Sequence, residues 1–305
     1  MELRQSPAWG KYLESLGWKT EVIDGCALRV KSLGLLGSII KIQRPESLPL
    51  DKIEAFARKS RALFVKIEPS NETQVNELTT NNYKLDTWPL TPARTVILDI
   101  TKSEEDLLKS FSKDVRQSIR KSQTRNLEYQ ITDLAKIPSF HAETYGNRET
   151  RNKFLNDFYQ IWKQTGDRGD FWVPPFNEYT SEVAAFSGNG FFVLSYLEGK
   201  HLVSGCLILL CDGVAYYHHA ASTLEGQNIH SPYWQMWQAI REAKSRGCTK
   251  MDLEGIFDPR FKSMFKKWLN FSAFKLKWGG EVYEYPGSFT KTYNPLINLL
   301  FRLNR

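Results

Sequence analysis

A basic stretch near the C-terminal end of the chain is the first feature that could do chemistry. No acidic residue lies between Asp258 and Glu281. The basic residues in that interval are Arg260, Lys262, Lys266, Lys267, Lys275 and Lys277. Aromatic residues lie among them, namely Phe261, Phe265, Trp268 and Phe271. Basic and aromatic side chains together suit a polynucleotide, because cations bind phosphates and rings stack on bases. The aromatic spacing is equally typical of an amphipathic helix with its rings in the core and its lysines outside.

Lys275 and Lys277 are the residues of this stretch best suited to catalysis. The segment AFKLKW alternates apolar and basic residues, which predicts a strand with both lysines on one face. A cation that faces a cleft can stabilise the negative charge that develops on an ester carbonyl oxygen when an amine attacks it. Because an ester is already activated, this reaction needs no nucleophilic side chain. The pattern alone fits equally well two strand lysines that face solvent.

The remaining polar candidates favour anion binding over metal chemistry. Arg168, in TGDRGDF, could bind phosphate or carboxylate through paired hydrogen bonds, or could neutralise the C-terminal dipole of a helix. His218 and His219 are neighbours in a predicted strand, so they would point to opposite faces and could not easily bind one metal. The four cysteines lack zinc-ligand spacing and are interpreted as buried free thiols of a reducing compartment. The sequence therefore predicts no metal site and no cofactor.

Helices and strands are predicted to alternate along the whole chain. Residues 1–100 form a mixed α/β unit, whose first helix begins after Ser6 with Pro7 at its first position. One long charged helix is predicted over residues 101–126. The second half is predicted to contain a helix, three antiparallel strands, another helix and further strands, ending in a strand pair over residues 271–287. Two dipeptides predict the tight turns between the three strands, Glu198-Gly199 and Asp212-Gly213.

Composition is typical of a soluble globular protein. The chain has 305 residues, of which 41% are hydrophobic, and its formal net charge is +7. This length favours two domains. The first residues, MELRQSPAWGKY, lack the apolar region of a signal peptide. The longest apolar run is interrupted at Glu198, Lys200 and His201, and neither half reaches the ~20 residues needed to span a bilayer. We therefore expect a cytoplasmic protein.

Five segments occur in this order along the chain: KDVRQSIRKSQTRNLEYQI, FYQIWKQTGDRGDF, AYYHHAAS, AKSRGCTKMDLEGI and FSAFKLKWGGEVYEYPGSF. Together they resemble the FemABX family of peptidoglycan aminoacyltransferases. The resemblance implies an α/β fold with two GNAT-like domains, each a mixed, mostly antiparallel sheet flanked by helices. The first domain would comprise residues 1–100 and 285–305, and the second residues 101–284. No heptad run interrupts residues 130–230, so the chain is similar to members without a coiled-coil arm.

The resemblance also implies roles for individual residues. The catalytic Phe-Lys pair of the family falls on Phe274 and Lys275, with Lys277 as the alternative lysine. Residues implied to bind the acceptor are Arg168, Tyr217, Lys11, and Phe171 or Trp172. The family often has a tyrosine near the last two positions. Tyr217 is favoured over Tyr216 because only one of two adjacent strand residues can face a cleft. Residues implied to bind tRNA are Lys262, Lys266, Lys267 and Lys277.

The implied activity is transfer of an amino acid from aminoacyl-tRNA to the stem peptide of a peptidoglycan precursor. The partners would be aminoacyl-tRNA and a UDP-MurNAc-peptide or lipid-linked muropeptide, with no cofactor. A monomer is expected, with possible contact to the inner face of the membrane through NPLINLLFRLNR. Two alternatives stay open: an acyl-CoA-dependent N-acyltransferase and a non-catalytic RNA-binding protein. The glycine pair of SGNG, residues 187–190, precedes a strand and does not open a helix, which argues against coenzyme A.

Overall fold

The chain divides into two compact units. The structure is a computed structural model that describes residues 1–137, 148–199, 201–261, 268–294 and 297, with only the backbone for residues 148–153. The first unit comprises Met1–Arg94 with Glu284–Arg305, and the second comprises Thr95–Tyr283. Each unit has a hydrophobic core of its own.

The first unit is a six-stranded sheet flanked by helices. Its helices are α1 (Pro7–Ser15), α2 (Leu50–Lys59) and α3 (Glu72–Thr80). Its strands are β1 (Lys19–Ile23), β2 (Cys26–Ser32), β3 (Ser38–Gln43), β4 (Ala62–Glu68), β5 (Lys84–Asp86) and β13 (Ser288–Thr292). The sheet order is β1-β2-β3-β4-β13-β5, so β13 lies between two strands from the N-terminal part of the chain. β3 and β4 pair in parallel, and the other described pairs are antiparallel.

The second unit contains a seven-stranded sheet, also flanked by helices. Its described helices are α4 (Glu104–Ser110), α5 (Lys113–Gln123), α6 (Arg148–Gly169), α7 (Phe176–Ala185), α8 (Leu224–Asn228), α9 (Ser231–Ser245) and α10 (Leu269–Leu276). Its strands are β6 (Arg94–Asp99), β7 (Leu127–Asp133), β8 (Gly190–Leu197), β9 (His201–Cys211), β10 (Val214–Ser222), β11 (Lys250–Gly255) and β12 (Glu281–Glu284). The sheet order is β12-β6-β11-β10-β9-β8-β7, and β10 and β11 pair in parallel. The predicted fold class, two mixed sheets flanked by helices, is confirmed.

Local signals in the sequence account for several of these elements. The Ser6 hydroxyl accepts a hydrogen bond from the Trp9 amide at 3.1 Å and caps α1, which begins at Pro7 as predicted. The dipeptides Glu198-Gly199 and Asp212-Gly213 have positive φ at both positions, and Asp212-Gly213 is the two-residue turn between the paired residues Cys211 and Val214. These turns join β8 to β9 and β9 to β10, so the predicted three-strand meander is confirmed.

The single charged helix predicted over residues 101–126 is wrong, because two helices occupy this stretch. Phe111 has an extended backbone and ends α4. The Ser112 hydroxyl then accepts a hydrogen bond from the Val115 amide at 3.3 Å and begins α5. A capping serine inside a charged run is a new helix start, because its side chain satisfies an amide that the helix leaves unpaired.

The strand predicted over AFKLKW is also wrong, because these residues lie at the end of α10. Phe271, Phe274 and Trp278 are spaced as one face of a helix. Trp278 is fully buried, and its ring packs edge-on against Phe111 with 4.9 Å between centroids. Gly279 follows at φ 73°, and a Cβ there would lie 2.2 Å from the Ser110 carbonyl oxygen, so the chain passes α4 at a distance only glycine permits.

None of the described helices combines the length and the apolar character that crossing a membrane would require.

The first unit depends on a buried ion pair between Lys66 of β4 and Asp86 of β5. The two charged groups are 2.8 Å apart, and both side chains are buried. Burial by itself raises the pKa of Asp86, but hydrogen bonds from Lys66, Thr290 and the Trp88 amide outweigh it and lower the pKa below its usual value. The ionised carboxylate therefore joins β4, β5 and β13.

We predict that Asp86→Asn lowers the free energy of unfolding by about 3–5 kcal/mol at neutral pH, because it leaves the Lys66 ammonium buried without an anion. A carboxylate whose pKa is lowered by folding contributes stability above its unfolded pKa, and this contribution is lost as the pH falls through the folded value. The difference between wild type and variant should therefore shrink on acidification. Urea unfolding at neutral and acidic pH measures it.

The matched control is Asp24→Asn, since Asp24 forms a pair of similar length with Lys52, at 2.7 Å, on the surface. An exposed pair contributes about 1 kcal/mol or less. Equal losses in the two variants at neutral pH would contradict the assignment of Asp86 as a buried support.

Candidate functional site

The candidate site lies where the parallel strands β10 and β11 stop pairing. Their register runs from Val214 opposite Lys250 to Tyr216 opposite Asp252. Just beyond this point both strands become irregular against their other neighbours. The register of β10 on β9 shifts between Tyr217 and His219, and that of β11 on β6 shifts between Asp252 and Gly255. Bulges of this kind re-aim side chains and are common beside active sites.

The shift in β10 brings His218 and His219 to the same carboxylate. His218 Nε2 lies 2.8 Å from Oε1 of Glu182, and His219 Nε2 lies 2.8 Å from Oε2 of Glu182. His218 Nδ1 lies 3.0 Å from Oε2 of Glu254. The prediction that the two histidines point to opposite faces is therefore wrong, because a strand loses its strict alternation at a bulge.

These four residues form a buried cluster, which we call the His218 cluster: Glu182 of α7, His218 and His219 of β10, and Glu254 of β11. The side chains of Glu182 and His218 are 4% and 8% exposed, so their charges have little access to water. The ring of His219 also packs on Trp162, with 4.0 Å between centroids. A buried charge is tolerated only when it is paired and hydrogen-bonded. The cluster meets that requirement through its own members.

The pKa shifts follow from this pairing. Burial by itself raises the pKa of Glu182, but attraction to His218 and His219 and hydrogen bonds from both outweigh it and hold the pKa far below its usual value. Burial lowers the pKa of His218, but Glu254 and Glu182 outweigh it and raise that pKa to about 10. Burial and repulsion by His218 lower the pKa of His219. At neutral pH, His218 is therefore the cation of the cluster and His219 is neutral.

Lys275 lies next to this cluster, on α10. Its ammonium donates a hydrogen bond to the Gly255 carbonyl oxygen at 2.8 Å, at the end of β11. Burial lowers the pKa of Lys275 to about 8, although the charges of Glu254 and Asp252 oppose the shift. Lys275 is still largely protonated at neutral pH. A cation held by a backbone carbonyl at the open end of two strands could stabilise a developing oxyanion.

Lys277, the alternative lysine, has a different environment. It is two residues further along the chain, where α10 has ended, and its ammonium pairs with Asp114 at 3.0 Å. The hydrogen bond and charge of Asp114 raise its pKa. Both partners are substantially exposed, so this is a surface ion pair. The shared face predicted for the two lysines is wrong, because residues two apart in a helical turn point in nearly opposite directions.

Asp252 shapes the turn that carries Glu254 and Gly255. Its Oδ1 accepts hydrogen bonds from the Glu254 amide at 2.7 Å and from the Thr95 hydroxyl. The Thr95 hydroxyl also bonds the Glu254 carbonyl oxygen at 3.0 Å. Glu254 has a φ of 57°, a left-handed backbone that costs energy for a residue with a side chain. The structure thus gives Asp252 the turn-capping position.

The predicted acceptor residues Arg168, Phe171 and Trp172 lie at the end of α6, close to β10 and α10. The Arg168 guanidinium donates to the Thr165 hydroxyl at 3.2 Å and to the carbonyl oxygen of Ser222, the last residue of β10. The Phe171 ring contacts Phe271 of α10, with 5.2 Å between centroids. Trp172 is 74% exposed. The structure therefore brings Arg168 and Phe171 to the elements that carry His218 and Lys275.

The other predicted residues lie elsewhere. Tyr217 is 6% exposed and belongs to the hydrophobic core of the second unit, and Tyr216 is buried as well, so the acceptor-binding role of Tyr217 stays a prediction. Phe274 packs against Tyr233 and Trp278, with centroid distances of 5.1 and 5.9 Å. Lys11 is exposed on α1 of the first unit. Three predicted tRNA-binding residues, Lys262, Lys266 and Lys267, lie outside the described residues.

Sequence reasoning missed Glu182 and Glu254 and dismissed His218. Glu254 carries a weak signal, because Leu-Glu-Gly directly follows a predicted strand. Glu182 carries none, since a glutamate in the middle of a helix is usually solvated. One ligand atom from each of Glu182, His218 and His219 lies within 4.8 Å of the others, a spacing that could also hold a metal ion. In the structure these groups bond one another.

Comparison with known proteins agrees with this architecture. The model of the FemAB family matches residues 198–303, which include β10, β11 and α10. The lipid II:glycine glycyltransferase of Staphylococcus aureus (strain USA300) is 22% identical over 330 residues, covering 87% of this chain and 77% of that protein.

Solved structures show the same fold. The crystal structure of FemX has a TM-score of 0.79 and 19% identity, covering 98% of this chain and 94% of that one. The C-terminal domain of a putative lysylphosphatidylglycerol synthetase from Agrobacterium fabrum has a TM-score of 0.65 and 12% identity, covering 99% and 92%. The C-terminal part of the chain thus matches the FemAB family model, the chain is similar in sequence to the glycyltransferase over most of its length, and its fold is that of FemX.

Proposed function

We propose that this protein is an aminoacyltransferase that adds an amino acid to the stem peptide of a peptidoglycan precursor. The match of residues 198–303 to the FemAB family model and the similarity to a lipid II:glycine glycyltransferase support the reaction class. The observation that carries the proposal is the position of Lys275, whose ammonium bonds the Gly255 carbonyl at the open ends of β10 and β11. The donor in this proposal is aminoacyl-tRNA, and no further cofactor takes part.

Each substrate has chemistry that the described residues can recognise. The precursor, UDP-linked or lipid-linked, carries phosphates and a peptide carboxylate, which suit the exposed guanidinium of Arg168. The aromatic ring of Phe171 lies beside it in the chain and contacts α10. The excess of basic residues over acidic ones, a net charge of +7, suits tRNA. The proposal further takes the protein to be a cytoplasmic monomer that meets lipid-linked acceptor at the inner face of the membrane.

The chemistry is attack of an amine on an ester. The acceptor amine forms a bond to the ester carbonyl carbon, the bond from that carbon to the tRNA ribose oxygen breaks, and a proton passes from the amine to the leaving oxygen. Negative charge develops on the carbonyl oxygen before the bond breaks. The protonated Lys275 stabilises that charge, and it acts as a cation without accepting the proton. Its partly buried position strengthens the interaction, because charges interact more strongly where water is scarce.

The activity test is incubation with tRNA charged with a mixture of amino acids and with UDP-linked or lipid-linked muropeptide. Mass spectrometry of the muropeptide should show a shift of one amino-acid residue. Pretreatment with ribonuclease should abolish the shift, and acetyl-CoA should not replace the charged tRNA. Absence of a shift with every amino acid, beside an active family member as positive control, would refute the proposal, and transfer from acetyl-CoA would replace it with an acyl-CoA-dependent reaction.

We predict that Lys275→Met lowers kcat by about 10²–10³, the cost of removing one donor to a developing oxyanion. The matched control is Lys277→Met, which removes an exposed ion pair with Asp114 and should leave kcat within about twofold, since surface pairs contribute little. Single-turnover kinetics with both variants measures the effect. A large loss in Lys277→Met with none in Lys275→Met would reverse the assignment of the lysine.

The pH dependence separates a cationic role of Lys275 from a basic one. Its pKa of about 8 implies that the catalytic cation is lost above pH 8. The turnover rate at saturating substrate should therefore fall as the pH rises through about 8. This fall is the alkaline limb of the pH profile. A general base would give the opposite sign, because activity would rise as the lysine loses its proton. In Lys275→Arg the alkaline limb should disappear, since a guanidinium stays protonated throughout this range.

A further inference from the structure

We propose that His218 is a positioning residue, a buried side chain that joins Glu182 of α7 to Glu254 of β11 and thereby fixes the turn whose carbonyl holds Lys275. The inference rests on the proposed function for the role of Lys275, but its geometric part concerns this chain alone. It gives a structural role to the His218 cluster, which the acyl-transfer chemistry does not itself require.

The geometry forms a continuous chain of contacts from α7 to α10. Glu182 bonds His218 at 2.8 Å, and His218 bonds Glu254 at 3.0 Å. The residue after Glu254 is Gly255, whose carbonyl oxygen accepts the hydrogen bond from the Lys275 ammonium at 2.8 Å. A rotation of the turn that carries Glu254 would therefore move the group that orients Lys275.

The position of His218 in the sheet explains why it can make this link. The last paired positions of the parallel strands are Tyr216 and Asp252. His218 and Glu254 each lie two residues further along their strands. They therefore lie at positions that would face each other, one pair past Tyr217 and Leu253, if the pairing continued, and their side chains bridge the opening. Without this bridge, the two strand ends would lose a connection at the point where the sheet opens.

The backbone of Glu254 needs such support. Its left-handed conformation, φ 57°, persists only where surrounding contacts over-determine it. The turn is held from one side by Asp252 and Thr95, which bond the amide and the carbonyl oxygen of Glu254. His218 holds the carboxylate of Glu254 from the other side. Backbone and side chain of this residue are thus fixed independently.

Within this proposal, the charge of His218 acts on Lys275 indirectly, through the carboxylate of Glu254 that lies between them. Three charged or titratable groups surround His218: His219 on its own strand, Glu182 of α7 and Glu254 of β11. Lys275 of α10 interacts in turn with Glu254 and Asp252 of β11. With His218 cationic, the negative charge of Glu254 is partly balanced. Replacing His218 by a neutral residue leaves that charge uncompensated. The Lys275 ammonium is then stabilised more strongly, and its pKa should rise.

The test compares the pH profile of kcat in His218→Gln and Glu254→Gln. In His218→Gln the alkaline limb should move up by about one pH unit, because a neighbouring cation has been removed. In Glu254→Gln the limb should move down, because a neighbouring anion has been removed. For His218→Gln, kcat at neutral pH should fall by about 10- to 100-fold through misplacement of Lys275, with KM for both substrates nearly unchanged. Opposite shifts in two bonded partners cannot arise from general loosening of the fold.

Two histidine variants serve as controls. His219→Gln should leave the alkaline limb where it is, because His219 bonds Glu182 and not Glu254 and is neutral at this pH. His201→Gln changes an exposed histidine on β9 and should leave the whole profile unchanged. If the His218→Gln protein is folded and the alkaline limb of its kcat profile lies at the same pH as in the wild type, the proposal is overturned. Loss of activity in Lys275→Met would still support the proposed function in that case.

A second measurement needs no activity. Nitrogen-15 NMR of the histidine rings in the wild-type protein at pH 8 should show both ring nitrogens of His218 protonated and His219 neutral. A neutral His218 at this pH would overturn the proposal. So would one equivalent of tightly bound metal in the purified protein by elemental analysis, since Glu182, His218 and His219 would then be its ligands. Full activity of Lys275→Met would instead refute the role of the lysine, while the NMR result still decided whether His218 is the buried cation.

Discussion

The second unit is organised around the burial of the Glu182 carboxylate beneath β10. An ionised group cannot stay in a protein interior without partners, because the lost hydration costs several kcal/mol. Two neighbouring histidines supply the partners, and they can do so only because the register of β10 shifts between Tyr217 and His219. That irregularity lies directly after the last backbone pair of the parallel strands. One electrostatic requirement therefore accounts for the bulge, for the orientation of His218, and for the contact that His218 makes with β11.

The opening between β10 and β11 gives the buried His218 cluster its connection to the candidate site. Parallel strands that remain paired to their ends bury their backbone groups against each other. Here the pairing stops early, and the Gly255 carbonyl oxygen is free of a β10 partner and bonds the Lys275 ammonium from α10. Arg168 similarly donates to the carbonyl oxygen of Ser222 at the end of β10. The last residue of β10 and the last residue of β11 thus each hold a cationic side chain through a backbone carbonyl. Both strands belong to the second unit, whose hydrophobic core contains Trp278 and its ring partner Phe111.

Features governed by local rules could be predicted from the sequence, and those governed by tertiary contacts could not. The cap at Ser6 and the two glycine turns of the meander depend on a few adjacent residues, and the structure has them as expected. AFKLKW was ambiguous because its apolar residues fit a period of two, whereas Phe271, Phe274 and Trp278 also fit a helix face, and burial of Trp278 decides in favour of the helix. Lys275 could be named from a resemblance, but its partner Gly255 could not. Glu182 had no signal in the sequence, because its role depends on a strand that lies more than thirty residues away.

The difference between Lys275 and Lys277 shows what a useful cation requires. Lys277 is paired with the carboxylate of Asp114 at the surface, where a direct counter-ion and water both neutralise its field. Lys275 bonds a neutral carbonyl, and the carboxylates of Glu254 and Asp252 act on it through their charge. Burial lowers its pKa to about 8, which keeps it protonated at neutral pH and leaves it poorly hydrated. A poorly hydrated cation gains most from a negative charge that appears beside it, because it has little solvation to lose. In the proposed reaction the same balance would fail if Glu254 carried its charge without His218, since an uncompensated anion next to Lys275 would compete with the developing oxyanion for the ammonium.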